Sequence, residues 1–487
     1  MNDTPTEAVA AIDEPTGSPP AITLALVSHT NVGKTTLART LLRRDVGQVL
    51  DQAHVTEEAE IFPLLDTPDG VLQLADTPGF GDSARLLRRL RTEERPVLWF
   101  LQQTWDRIAD RPFWCSQRAA LAIRDQADIV LYLVNATEEP EDAGYVDLEL
   151  EVIDWLGVPT LILLNQVGDT SFRKEQWLER LDRWQRHTER FDVVRGVTEL
   201  DAFTRCWVEE HALLSRVVEL LPDDRRPLME SLRTAWDARN LEVFDRSIDA
   251  VASYLAATAV DRETLPEKRP SREQKQAAME ALGRRLVDRT EELMAALLAH
   301  HGLEGEVATE IDRQLDAFAV AGEETLDPER GAWLGGMVSG AVGGLAADLL
   351  AGGLTFGGGV LAGAILGALG GAGLARGMQL VQGDRLPEVS WAPPFLDRLL
   401  VQAMLRYLAV AHFGRGRGEF RHEDASRRWQ DAVDAALREG VESRKALWKD
   451  AARLHHADAV RRLRPTVGSA AREILRRGYP DAAGLLA

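Results

Sequence analysis

The octapeptide at residues 28–35, with the sequence SHTNVGKT, constrains the fold of this chain more than any other feature. It lies between a short apolar run and a helix-forming stretch rich in Leu and Arg, which is the strand–loop–helix setting of a phosphate-binding loop. Small residues let backbone N–H groups wrap phosphates, and the helix N-terminus adds positive potential. Ser28 occupies the position at which such loops usually have their first glycine. The alternative to a phosphate-binding loop is a Gly-Lys-Thr sequence that begins a helix by chance. The predicted nucleotide-binding residues of this loop are Asn31, Val32, Gly33, Lys34, Thr35 and Thr36.

A second motif, Asp76-Thr77-Pro78-Gly79, closes the apolar run at residues 71–75. The end of a strand beside the loop strand is where Mg²⁺ needs an outer-shell carboxylate, and the N–H of Gly79 can reach a γ-phosphate. By itself the tetrapeptide could also be a helix-capping turn. Thr56 is the candidate hydroxyl that closes over Mg²⁺ and the γ-phosphate, with an ordinary loop threonine as the alternative. We predict catalytic roles for Lys34, Thr56 and Gly79, and metal-binding roles for Thr35, Thr56 and Asp76.

Apolar runs of strand length alternate with helical stretches from Ile22 to about residue 222. This alternation predicts an α/β domain with a mostly parallel, doubly wound sheet, in which ligands bind at the carboxyl ends of the strands. After that point, apolar residues three and four apart predict an all-α C-terminal region. The predicted regions are a disordered tail (1–20), a phosphate-loop domain (21–222) with a helical insertion (about 85–126), a helical domain (223–330), a Gly-rich hydrophobic segment (331–375) and a basic helical end (376–487).

Composition limits the classes of function. The chain has 487 residues and a formal net charge of −20, which excludes a general coat of basic charge for nucleic acid. Residues 376–487 nevertheless carry 20 Lys and Arg against 14 Asp and Glu, so the basic charge is local. Two cysteines are too few for a disulfide framework, and the first 20 residues lack the layout of a signal peptide. We therefore expect a cytoplasmic protein.

The order of these motifs resembles the Era/TrmE-like bacterial GTPases of the translation-factor-related class. The matching residues are 31–35 (NVGKT), Thr56 and Asp76-Thr77-Pro78-Gly79. The later features resemble one branch of that class, in which the GTPase domain precedes a helical domain of unknown function with a Gly-rich hydrophobic stretch. The similarity extends from Ile22 to about Phe420. It implies binding of GTP and GDP with Mg²⁺, and hydrolysis of GTP.

Two positions carry further implications of the resemblance. Phe80 follows the switch glycine where Ras-like relatives have a catalytic Gln, so another group must orient the attacking water. Asn31 matches the loop Asn that helps to ligate K⁺ in potassium-activated relatives, and such a cation could stabilise charge in the transition state. Its alternative role is to shape the loop by bonding its own backbone.

The signal for the base is weaker than the signal for the phosphates. Residues 165–169 read NQVGD where the family has Asn-Lys-x-Asp. Asn165 matches, but the carboxylate of Asp169 comes one residue late. We include Asn165 and Asp169 among the predicted nucleotide-binding residues and leave guanine and adenine open, since a displaced carboxylate weakens selection of guanine.

Residues 331–375 form a stretch with Asp348 as its only charge. Its halves approach or exceed the length of about 20 residues that crosses a bilayer as a helix. Glycines four residues apart, such as Gly336, Gly340 and Gly344, would let helices approach closely. We predict a membrane hairpin, and the alternative is a tightly packed hairpin in a soluble domain.

These features support two functions of different classes. The first is a Mg²⁺-dependent GTPase switch at or near the inner membrane, bound to the membrane or to a membrane protein. The second is a nucleotide-gated scaffold that binds a protein partner with negligible hydrolysis. Nucleic acid is not an expected partner, and a nucleotide-dependent dimer is one candidate assembly. The pairs His300-His301 and His455-His456 lack companion ligands, so we expect surface histidines and no metal site there.

Overall fold

The computed structural model describes residues 19–29, 32–43, 60–77, 80, 83–92, 111–165, 174–200, 206–303, 378–381, 386–413 and 423–486. The predicted residues Asn31, Thr56, Gly79 and Asp169, and the side chain of Thr35, lie outside this description. So do the predicted tail up to residue 18 and the Gly-rich segment 331–375.

The N-terminal part contains a six-stranded sheet in the order β2-β3-β1-β4-β5-β6. Only the β2–β3 pairing is antiparallel, so the prediction of a mostly parallel sheet is confirmed. The strands are Ala21–Ser28 (β1), Glu60–Thr67 (β2), Gly70–Asp76 (β3), Ile129–Asn135 (β4), Thr160–Asn165 (β5) and Val194–Glu199 (β6).

Helices cover both faces of this sheet. They are Lys34–Leu42 (α1), Ser83–Thr92 (α2), Arg111–Gln126 (α3), Gly144–Leu156 (α4), Lys174–Thr188 (α5) and Trp207–Leu220 (α6). Alternate strand residues enter different cores: Val27 lies in one hydrophobic cluster and Leu26 in the other. This two-residue period explains why the buried strands are apolar almost throughout. Helix α3 lies within the predicted insertion and α2 overlaps its start, while residues 93–110 are outside the described part.

The C-terminal part is helical, as predicted. Its helices are Arg226–Ala259 (α7), Arg272–His300 (α8), Pro393–Ala411 (α9), Glu423–Leu437 (α10), Val441–Ala451 (α11) and His456–Gly478 (α12). Helix α8 starts at a capping box, because the Ser271 hydroxyl accepts from the Gln274 N–H and the Gln274 side chain accepts from the Ser271 N–H.

Helix α7 belongs to both parts of the molecule. Met229 and Trp236 in its first half are buried against the sheet, whereas Ile248 and Leu255 in its second half are buried in the helical core. Its 34 residues therefore connect the two hydrophobic cores through one continuous element.

A small antiparallel sheet within the helical part was not predicted. Its strands are Arg262–Thr264 (β7), Met378–Val381 (β8) and Glu388–Trp391 (β9), in the order β7-β9-β8. Strands of three or four residues are too short to show a two-residue period, which is why the sequence pattern indicated only helix. Among the helices of the described ranges, none is long and apolar enough to cross a membrane.

Candidate nucleotide site

The phosphate loop starts where β1 ends and finishes at the first turn of α1. Gly33 has φ 95°, a left-handed conformation that glycine adopts without steric cost. Its carbonyl accepts the first helical bond from the Leu37 N–H at 3.0 Å. The structure thus brings the predicted residues Val32, Gly33, Lys34 and Thr36 to one helix N-terminus, which suits an anion.

Lys34 and Asp76 meet at this edge of the sheet. The Lys34 Nζ donates to Asp76 Oδ1 at 2.5 Å and to the Thr77 carbonyl at 2.5 Å. The meeting follows from topology, since β1 and β3 are parallel neighbours with Leu26 beside Asp76 in register. Asp76 is 2% exposed, and the Thr77 hydroxyl donates to the Leu26 carbonyl at 2.9 Å, which fixes the end of β3.

The donor set is compatible with magnesium. Asp76 offers carboxylate oxygens, the hard ligands that Mg²⁺ prefers, beside an ammonium group that can bind phosphate. Asp76 would hold the ion through oxygen, and the ion would neutralise phosphate charge. Within the described ranges, His, Cys, Asp and Glu form no cluster of three that could hold a metal by itself.

Asn165 contributes to the loop at the end of β5. Its Nδ2 donates to the Val32 carbonyl at 2.7 Å, and the side chain is fully buried. Asn165 therefore supports the loop backbone from the neighbouring strand end.

One pair of residues near the loop was missed by the sequence reasoning. His29, the first residue after β1, places its Nδ1 2.9 Å from Oε1 of Glu149 on α4. The Tyr132 hydroxyl donates to the other oxygen of this carboxylate at 2.7 Å. The hydrogen bond to Glu149 raises the pKa of His29 above its usual value. The available signal was a glutamate between Val146 and Leu150, on the apolar face of α4.

Phe80 is buried in the core, with 2% of its surface exposed. Its apolar ring packs in the same cluster as Tyr132 and Val27. A buried phenyl ring carries no group that could orient a water molecule, in agreement with the interpretation of this position from the sequence.

The histidine pairs differ from one another. His455 and His456 are exposed, as expected. The expectation of a surface residue is wrong for His301, which is partly buried with its Nε2 3.4 Å from the Ser247 hydroxyl. Burial lowers the pKa of His301 to about 3. The helix end that carries it packs into the helical core, a contact that helical periodicity alone does not reveal.

Two family models match different parts of the chain. A family model described as Domain of unknown function (DUF3482) matches residues 190–476, more than half of the chain. A model described as 50S ribosome-binding GTPase matches residues 23–166, which include Lys34, Asp76 and Asn165. No curated protein matches the chain.

Solved structures match at low identity. Era in complex with MgGDPNP and nucleotides 1506–1542 of 16S ribosomal RNA is 19% identical, and the match covers 42% of this chain and 58% of that chain, with a TM-score of 0.28. An Era variant from Aquifex aeolicus bound to GDP and AlF4⁻ is 15% identical, covering 56% of this chain and 90% of that chain, with a TM-score of 0.30. A probable GTP-binding protein engB is 17% identical, covering 37% and 88%, with a TM-score of 0.24.

The GTPase model covers the loop and both strand ends described above, and it supports guanine-nucleotide binding. The chain therefore belongs to the DUF3482 family, and the GTPase model matches it at residues 23–166, before the region that defines the family.

Proposed function

We propose that this protein is a Mg²⁺-dependent GTPase switch whose helical part carries the signal of the bound nucleotide to a partner at or near the inner membrane. One observation carries the proposal: Lys34, Asp76 and the Thr77 carbonyl converge at the N-terminus of α1. A cation for phosphate and a carboxylate for Mg²⁺ are the two charges that phosphoryl transfer needs from this part of a P-loop site.

Hydrolysis needs a further stabilising charge, because Phe80 cannot orient water. We assign that role to K⁺ held by Asn31 beside the phosphates. Thr35 and Thr56 complete the Mg²⁺ site together with Asp76, and Gly79 offers its N–H to the γ-phosphate. A loss of charge stabilisation of this kind typically reduces turnover by about a hundredfold or more.

Two measurements test the proposal. Isothermal titration with GTP, GDP and ATP is expected to show binding of both guanine nucleotides, with ATP weaker by orders of magnitude. Phosphate release from GTP is then measured in matched KCl and NaCl for the parent and for Asn31→Ala. Faster release in KCl that Asn31→Ala abolishes supports the cation. Equal rates for the parent in both salts contradict the cation, and absence of nucleotide binding contradicts the whole proposal.

The second candidate is a scaffold that binds GTP, controls a protein partner and hydrolyses negligibly. It is favoured by α7, which is buried in both cores and could transmit the bound state without turnover. Phosphate release with and without liposomes separates the two functions, since a membrane-stimulated rate belongs to the first. Fractionation of the full chain and of a variant lacking residues 331–375 tests the location: loss of membrane recovery in the deletion supports the membrane, and cytosolic recovery of the full chain contradicts it.

A further inference from the structure

We propose that His29 is a positioning residue that anchors the phosphate loop to α4 through Glu149. The inference rests on the proposed nucleotide binding and adds a residue to it. His29 is the first loop residue after β1, and Glu149 is 120 positions away in the chain. The pair therefore exists only because the fold places α4 beside the end of β1.

Burial of the Glu149 carboxylate costs hydration free energy unless other groups form hydrogen bonds with it. Its side chain is fully buried, and an isolated carboxylate in such a place would lose several kcal/mol of hydration. Two hydrogen bonds compensate for this loss: Tyr132 donates to one oxygen at 2.7 Å, and His29 Nδ1 lies 2.9 Å from the other. Carboxylate oxygens accept hydrogen bonds, so we assign the proton of this bond to His29 Nδ1.

The imidazole ring is also fixed on its face. Tyr145 of α4 stacks on it with ring centroids 4.2 Å apart and an interplanar angle of 29°. The Tyr145 hydroxyl in turn donates to Glu138 at 2.7 Å. A loop side chain held at its edge by a buried carboxylate and at its face by an anchored ring has little freedom to rotate.

The bond between His29 and Glu149 gives the phosphate loop a second attachment to the rest of the domain. Asn165 holds the loop at Val32 from the end of β5, and His29 holds its start from α4. The Val32 side chain belongs to the hydrophobic cluster on one face of the sheet, and Tyr132 belongs to the cluster on the other. Backbone N–H groups bind phosphate well only when their directions are set before binding, because ordering a loop upon binding costs affinity. Anchors on both faces provide that order.

The test compares variants that keep or remove the donor to Glu149. An asparagine amide places its nitrogen close to the position of Nδ1, so His29→Asn keeps the donor, whereas His29→Ala removes it. His29→Gln carries the donor one bond further out. Asp147→Asn is the matched control, since Asp147 lies on the same helix and pairs with His187 and Arg190 away from the loop.

Dissociation constants for GDP and unfolding midpoints without nucleotide are measured for each variant. We expect GDP to bind His29→Ala and Glu149→Gln about tenfold more weakly than the parent, and His29→Asn within about twofold. Asp147→Asn should bind like the parent. A residue needed only for stability would lower the unfolding midpoint and leave the affinity of the folded protein unchanged.

Parental GDP affinity in folded His29→Ala overturns the inference. If His29→Ala does not fold, the comparison of Asn with Gln decides: stronger binding by His29→Asn supports the anchor, and equal binding overturns it. A parent chain that binds no guanine nucleotide contradicts the proposed function itself, which separates the two failures.

Discussion

The sheet domain and the helical part each contain a largely buried pair of a cation and a carboxylate, and the two pairs differ in what surrounds them. Lys34 has two acceptors among the described residues, Asp76 and the Thr77 carbonyl, while an ammonium group has three donors. Arg444 of α11 forms two bonds with Asp397 of α9, at 2.6 and 3.0 Å, and also donates to two backbone carbonyls. The first pair lies at the N-terminus of α1, where we propose that phosphate binds, whereas the second joins two helices. On this proposal, similar charges serve binding in one region and architecture in the other.

Replacing Lys34 should have the largest effect, because it removes the main phosphate counter-charge. We expect Lys34→Ala to weaken binding of GTP and GDP by at least about a hundredfold, since bonds to charged groups contribute about 1.5–3 kcal/mol each. Isothermal titration gives the affinities, and far-UV circular dichroism checks that the fold is retained. Lys449→Ala, an exposed lysine on α11, is the control. Unchanged affinity in Lys34→Ala would mean that the pair with Asp76 is architectural, like its counterpart in the helical part.

Replacing Arg444 should give the opposite profile. The Arg444 side chain is 8% exposed and that of Asp397 is 23% exposed, so Arg444→Met leaves a largely buried carboxylate without its cationic partner and with the Trp448 indole N–H as a remaining donor. We expect a loss of about 2–3 kcal/mol in the free energy of unfolding of the helical part, with GDP affinity unchanged. Urea denaturation measures the loss. Lys445→Ala, which removes a solvent-exposed ion pair on the same helix, should cost less than about 1 kcal/mol. A similar loss of GDP affinity in Arg444→Met would contradict a purely architectural role for the Arg444–Asp397 pair.

Asn165 belongs to the candidate nucleotide site, and an experiment can decide whether it supports the loop or contacts the base. Its bond to the Val32 carbonyl predicts that Asn165→Ala weakens nucleotide binding about tenfold. If Asn165 acts through the loop, the affinities for GDP and for ADP should fall by similar factors. If it reads the base, only the affinity for GDP should fall. Titration of both nucleotides into the parent and the variant distinguishes the two roles.

The strength of sequence reasoning also differs between the two regions. Lys34, Asp76 and Asn165 could be placed together in advance, because the carboxyl ends of parallel strands meet at one edge and each residue ends or follows an apolar run. The His29–Glu149 pair could not, since Glu149 belongs to no motif, the loop motif assigns no role to His29, and only the docking of α4 joins the two residues. The three-stranded sheet and the burial of His301 could not be predicted from the sequence for a related reason. Short strands and helix ends take their environment from tertiary contacts, which the pattern of apolar residues does not encode.

The smallest expected effect comes from His301, where a titratable group is used for architecture. Burial is the main cause that lowers its pKa to about 3, and the charges of Arg43, His300 and His412 lower it further. Well above pH 7 the ring is neutral in the folded and the unfolded chain, so it contributes no pH dependence there. As the pH falls through 6.5, the unfolded chain takes up a proton that the folded chain does not, so stability is lost progressively down to about pH 3.

Between pH 7 and pH 6 this difference amounts to about 0.7 kcal/mol, a window in which carboxyl groups with ordinary pKa values hardly titrate. The free energy of unfolding of the parent decreases between pH 7 and pH 6, and we expect this decrease to be smaller in His301→Asn by about 0.7 kcal/mol. Urea denaturation at both values of pH measures it. His455→Asn is the control, because that ring lies in water in both states and its replacement should keep the parental slope. A parental slope in His301→Asn would mean that the ring can be protonated within the folded helical part. The buried ring of His301 would then not have a purely architectural role, unlike the ion pair of Arg444.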